Sequence, residues 1–157
     1  MIDKKPNESY QEWRDRVIDK ISPSFCGAKW YNATIWLNSG STASCHHPPA
    51  HKIPLEEVKS NYKAIHNTKY KKMVRKQMLE GERPKECEYC WKVEDLGKNY
   101  VSDRTYKSVI YKEQALEEAS KMDWQEDVPL KTLEIAFDAN CNLACSCLLY
   151  TSPSPRD

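Results

Sequence analysis

No apolar run in the chain approaches the ~20 residues that a membrane-spanning helix requires, so the sequence offers no candidate span. The opening stretch, MIDKKPNESYQEW, lacks the apolar core of a secretory signal. A surplus of one charge is also missing. The 24 basic and 23 acidic residues leave a net charge of +1, which excludes a global field that would draw nucleic acid or a membrane surface. Apolar residues make up only 39% of the chain, below the ~45–50% usual for globular domains. The core is therefore small, and metal staples would help it. There is no internal repeat and no low-complexity segment before residue 147. These absences point to a cytoplasmic chain with no membrane partner. Its 157 residues allow one domain, or one small domain and the start of another.

What the chain does have is cysteine, seven in all. An odd number argues against a closed disulfide framework, and in a reducing compartment cysteines serve more often as metal ligands. Four of them, Cys26, Cys45, Cys87 and Cys90, form one candidate set. Gly40 and Cys45 make a Gly-x4-Cys unit on an expected hairpin, and Cys87 and Cys90 a Cys-x2-Cys unit. A Cys-x2-Cys turn lets two sulfurs address one centre while backbone amides face them. Gly40 permits a positive φ or a close backbone approach. Four thiolates from distant segments match the all-cysteine ligation of a cubane cluster. A structural zinc knuckle is the alternative for the same four residues. His46 and His47 adjoin Cys45, and neighbouring histidines rarely both reach one ion, so they are expected to support the site at most. Trp91 either dries the site or packs in the core. A second group follows the strand-like run Leu130 to Phe137, where a loop delivers Cys141 and Cys145 with three residues between them. Thiolates crowded on a loop just after a strand suggest an iron–sulfur or zinc site.

The stretch Cys141-Asn142-Leu143-Ala144-Cys145 resembles the start of the radical S-adenosylmethionine (SAM) family, whose motif is Cys-x3-Cys-x2-Cys after the first barrel strand. The family's third cysteine would fall at Leu148, and Cys147 stands one residue early. The four upstream cysteines look like the Twitch and SPASM auxiliary-cluster domains of such enzymes, although those domains usually follow the barrel. Residues 45–54, 66–91 and 102–108 are similar to segments of twitch-containing radical SAM proteins of phage and marine metagenomic type. The resemblance implies a 4Fe–4S cluster held in part by Cys141 and Cys145, with S-adenosylmethionine on its open iron. It also implies a second 4Fe–4S cluster on Cys26, Cys45, Cys87 and Cys90. Reductive cleavage of SAM would start radical chemistry, fed by an electron donor such as flavodoxin or ferredoxin. The substrate, a peptide or a small molecule, stays open. Zinc remains the alternative metal.

The expected fold class is α+β. A small cysteine-rich helix and β-hairpin domain occupies residues 1–128. The first strand and cluster loop of a truncated radical SAM barrel occupy 129–146. Residues 147–157 look like translated sequencing adaptor, a non-native tail. A barrel of this type needs on the order of 200 residues, so this fragment is expected to be inactive toward SAM. Helices are predicted over 9–21, 54–60, 68–80 and 111–122, a tight turn running into a short helix over 87–95, and a hairpin over 30–44. On the 68–80 helix, Tyr70, Met73 and Gln77 lie at helical spacing with Met78 or Leu79. Lys69, Lys71, Lys72, Arg75 and Lys76 read as a solvated basic flank. The same flank carries the less favoured alternative of a basic nucleic-acid-binding module. The other alternative is a zinc-stabilised, non-enzymatic interaction module.

Overall fold

Ser9 opens the first helix with a reciprocal cap. Its hydroxyl accepts from the Glu12 amide at 3.2 Å, and the Glu12 carboxylate accepts from the Ser9 amide at 2.7 Å. In the computed structural model, which describes residues 3–137, this helix, α1 (Tyr10–Arg16), is followed directly by α2 (Ile18–Ile21). The single helix expected over 9–21 is thus split at Val17. The split lets Trp13, Val17 and Ile18 all reach the core, while Tyr10 stays at the surface. Cys141, Cys145 and the tail 147–157 lie outside the described residues.

A short helix that periodicity did not suggest comes next, α3 (Gly27–Tyr31). Gly27 is required by close packing. A Cβ there would meet Leu116 Cδ2 at 2.8 Å and the Ser108 backbone Cα at 3.3 Å. Its amide donates to Ser108 Oγ at 2.8 Å. Gly27→Ala is therefore expected to destabilise the fold by about 1–3 kcal/mol through overpacking. A lowered urea midpoint at unchanged slope would register it.

The chain then enters a hairpin of β1 (Asn32–Trp36) and β2 (Ser41–Ala43), with Gly40 at φ 58° in the turn. After β3 (His51–Lys52) come α4 (Leu55–Ser60) and α5 (Lys69–Leu79). α6 (Glu88–Asp95), α7 (Asp103–Ser108) and α8 (Glu113–Lys121) follow, and the described chain closes with β4 (Thr132–Ala136). The sheet order is β3-β2-β1-β4. β1 and β2 are antiparallel, with Thr34 opposite Ala43, whereas β1 and β4 are parallel, with Asn32 opposite Thr132 and Trp36 opposite Ala136. The strand expected after Pro129 thus joins the same sheet as the hairpin. The architecture is α+β, a mixed sheet with helices. Among the described residues no helix is long and apolar enough to cross a membrane.

α5 begins at Thr68, whose hydroxyl accepts from the Lys71 amide, and ends before Gly81, at φ 81°. Its buried face differs from the expected one. Val74 and Met78 enter the core together with Lys71 and Arg75, while Tyr70 and Met73 are exposed. The charged pair is buried because the interior satisfies it. Arg75 Nε donates to the Lys29 carbonyl at 2.9 Å, and one of its terminal nitrogens to Asn67 Oδ1 at 2.8 Å. Lys71 Nζ donates to Thr42 Oγ1 at 2.9 Å and to the Ala43 carbonyl at 3.3 Å. Two of the five residues of the expected solvated flank are therefore core residues.

Candidate metal centre

Four separate pieces of chain bring the upstream cysteines to one place. Cys26 caps the N-terminus of α3. Cys45 lies on the loop that leaves β2. Cys87 ends a 3-10 turn, Lys85–Cys87, that Pro84 initiates, and Cys90 sits in the first turn of α6. All four are free thiols, and all four line a single cavity. Met78 of α5, Trp91 of α6 and Arg104 of α7 close its walls. Trp91 is anchored there by its indole N–H, which donates to the Pro84 carbonyl at 2.9 Å.

The electrostatics are those of crowded, buried thiols. Burial, with the nearness of Cys26 and Cys45 adding to it, pushes the Cys87 and Cys90 thiols up to about 12, against the opposing pull of Lys29 at Cys87. Burial also raises Cys45, with Cys26 again adding to the effect. Opposing this, backbone amides face two of the sulfurs, that of His47 toward Cys45 and that of Arg104 toward Cys90. Such N–H···S contacts stabilise thiolate, as in iron–sulfur sites. Lys29 adds a full positive charge. It is buried, pairs with Glu86, and lines the cavity beside Cys87 and Cys45. Burial alone would lower its pKa. Cys87 and Glu86 outweigh that and hold the ammonium above its usual range.

Sequence reasoning named the four cysteines but not the charges around them. Lys29, Asp103 and Arg104 had no assigned role, because a charged residue in sequence reads as surface. Arg104 is 2% exposed. Its guanidinium binds Glu94 and Asp19 and donates to the Phe25 carbonyl, each at 2.9 Å. The one available signal was the dense run of charged and hydroxyl side chains in Ser102-Asp103-Arg104-Thr105, which is too polar for a core helix unless it is paired. His46 and His47 sit at the rim, and His47 also lines the cavity. No family model matches the chain, and no curated protein or solved structure matches it.

Proposed function

We propose that Cys26, Cys45, Cys87 and Cys90 hold an auxiliary 4Fe–4S cluster in the N-terminal part of a radical SAM enzyme. The observation that carries this reading is the convergence of four free thiols, from residues 26 to 90, on one cavity. The donor set fits the group. Each iron of a cubane takes one thiolate, and backbone amides face two of the four sulfurs. Lys29, Lys107 and Arg104 line the cavity and offset the negative charge that four thiolates and a cluster would bring. Met78 and Trp91 keep water from the site. Such a cluster would relay electrons or help bind substrate.

The second half of the reading is that β4 is the first strand of a barrel, with Cys141 and Cys145 on the loop beyond it. Among the described residues, β4 has β1 on one side and no strand on the other. Leu133, Ile135 and Phe137 are exposed by 48%, 42% and 74%. An open strand edge carrying large apolar side chains calls for further strands and helices to cover it. S-adenosylmethionine, its electron donor and a peptide or small-molecule substrate belong to that part of the proposal.

Anaerobic reconstitution with iron and sulfide tests the metal. The expected product is a brown protein with about four irons per chain at the upstream site. Cys87→Ser and Cys90→Ser should each lose that iron. A colourless protein that retains stoichiometric zinc and rejects iron would favour the zinc-stabilised module.

A further inference from the structure

His46, His47 and Asp103 form a constellation at the rim of the cysteine cavity, whose lining includes His47 and Asp103. Their ligating atoms all lie within 4.8 Å of one another. His47 Nε2 stands 2.7 Å from Asp103 Oδ2, and His46 Nε2 stands 3.5 Å from the same oxygen. The two imidazoles are packed together, with ring centroids 4.0 Å apart. Tyr89 stacks on the outer face of His47 at 3.8 Å, with the planes only 14° apart. The histidine rings come from the loop after β2, and the carboxylate from the first turn of α7.

We propose that these three side chains bind a divalent transition-metal ion of the zinc class at the rim of the cysteine cavity, without using its thiols. The donor set is two imidazoles and one carboxylate, which suits a borderline cation better than magnesium or calcium. Metal–nitrogen and metal–oxygen bonds near 2.0–2.2 Å place tetrahedral donors about 3.3 Å apart. The present separations bracket that value, so an ion enters with shifts of well under 2 Å. His46 is able to make most of the shift, because its side chain is 55% exposed. His47 needs little, because Tyr89 already fixes its plane. Three protein ligands leave a position open to water or to an oxygen of a bound molecule.

The placement gives the ion a structural consequence. The loop that carries the histidines also carries Cys45, whose sulfur the His47 amide faces. α7 carries both Asp103 and the Arg104 amide that faces Cys90. One ion therefore ties together the two segments that present Cys45 and cover Cys90, at the rim of their shared cavity.

Cobalt(II) titration of the full chain after iron–sulfur reconstitution tests the proposal, because cobalt reports its own ligands. The expected result is saturable binding of a single Co2+ per chain, with no thiolate-to-metal charge-transfer band. Zinc should displace it. His46→Ala and Asp103→Asn, checked for native circular dichroism, should each abolish that stoichiometric binding. Exposed His46 in particular is removable without disturbing the core. Absence of binding in the parent would overturn the site. So would a thiolate charge-transfer band, or full binding in both variants. Failure of iron incorporation counts only against the cluster. The same titration on a chain with Cys26, Cys45, Cys87 and Cys90 replaced by serine, checked for native circular dichroism, still decides this site.

Discussion

Arg104→Met is expected to cost about 3–5 kcal/mol, the price of leaving a buried ion pair half-made. The guanidinium is enclosed and serves three elements at once. It holds Glu94 at the end of α6, Asp19 in α2 and the Phe25 carbonyl just before Cys26. Glu94 is itself only 8% exposed, so its carboxylate would lose its counter-charge without regaining water. Ser102 alone would still donate to it. A domain of this size has about 5–15 kcal/mol of total stability, so the substitution removes a large share of it. Arg104→Lys should recover only part, because an ammonium lacks the fork that reaches Glu94 and Asp19 together. Thermal and urea melts of the two variants beside the parent give the measurement. Equal stability for parent and Arg104→Met would mean that the Glu94 carboxylate finds another partner or protonates at little cost.

Acid should unfold the chain well before its carboxylates are all protonated. His66 is buried, and its Nε2–H donates to the Trp30 carbonyl at 2.7 Å. Its Nδ1 has no partner among the described residues. Burial, then Arg75 and Lys71, hold its pKa down at about 3. His51 is held down at about 4, again first by burial and then by Lys71. A histidine whose folded pKa lies below its unfolded value takes up a proton on unfolding. Its contribution is fully present above about pH 6.5 and drains away as pH falls toward the folded pKa. Each such group tilts stability by about 1.4 kcal/mol per pH unit. From pH 6.5 down to about 4, His66 alone accounts for roughly 3 kcal/mol. Urea midpoints at a series of pH values across that window measure the slope. His66→Gln keeps a donor for the Trp30 carbonyl and removes the titration, so its profile should be flatter by one group's worth. An unchanged profile would place the acid sensitivity elsewhere.

The parts of the fold that were legible in the sequence are those with local signatures. Asn7 or Ser9 offers a cap at the start of α1, which the structure places at Ser9; Thr68 and Gly81 bracket α5, and Gly40 marks the hairpin turn. The parts that were not legible depend on distant partners. α3 is five residues long and begins with glycine, and only its packing against Leu116 and Ser108 explains it. α7 is polar throughout, and its burial rests on ion pairs that reach back to Asp19. Nothing in Leu133 to Phe137 says that β4 will run parallel to β1. At the candidate site, the spacing of Cys87 and Cys90 and the Gly40–Cys45 unit were sufficient to name the thiols. The charges that surround them were missed for the reason that Lys71 and Arg75 were placed on the surface. Hydropathy patterns treat charge as exposed, whereas here carbonyl, hydroxyl and carboxylate partners exist inside to receive it.

The parallel pairing of β1 with β4 also sets an order of assembly. Residue 32 must wait for residue 132, so the ladder closes across nearly the whole described chain. Contacts of such long sequence separation form late, since loop closure precedes any reward from pairing. The cysteines and the segments that wall their cavity all lie between residues 26 and 107. During synthesis they leave the ribosome as a group before β4 does. The pocket therefore takes shape beside a β1 edge that is still bare.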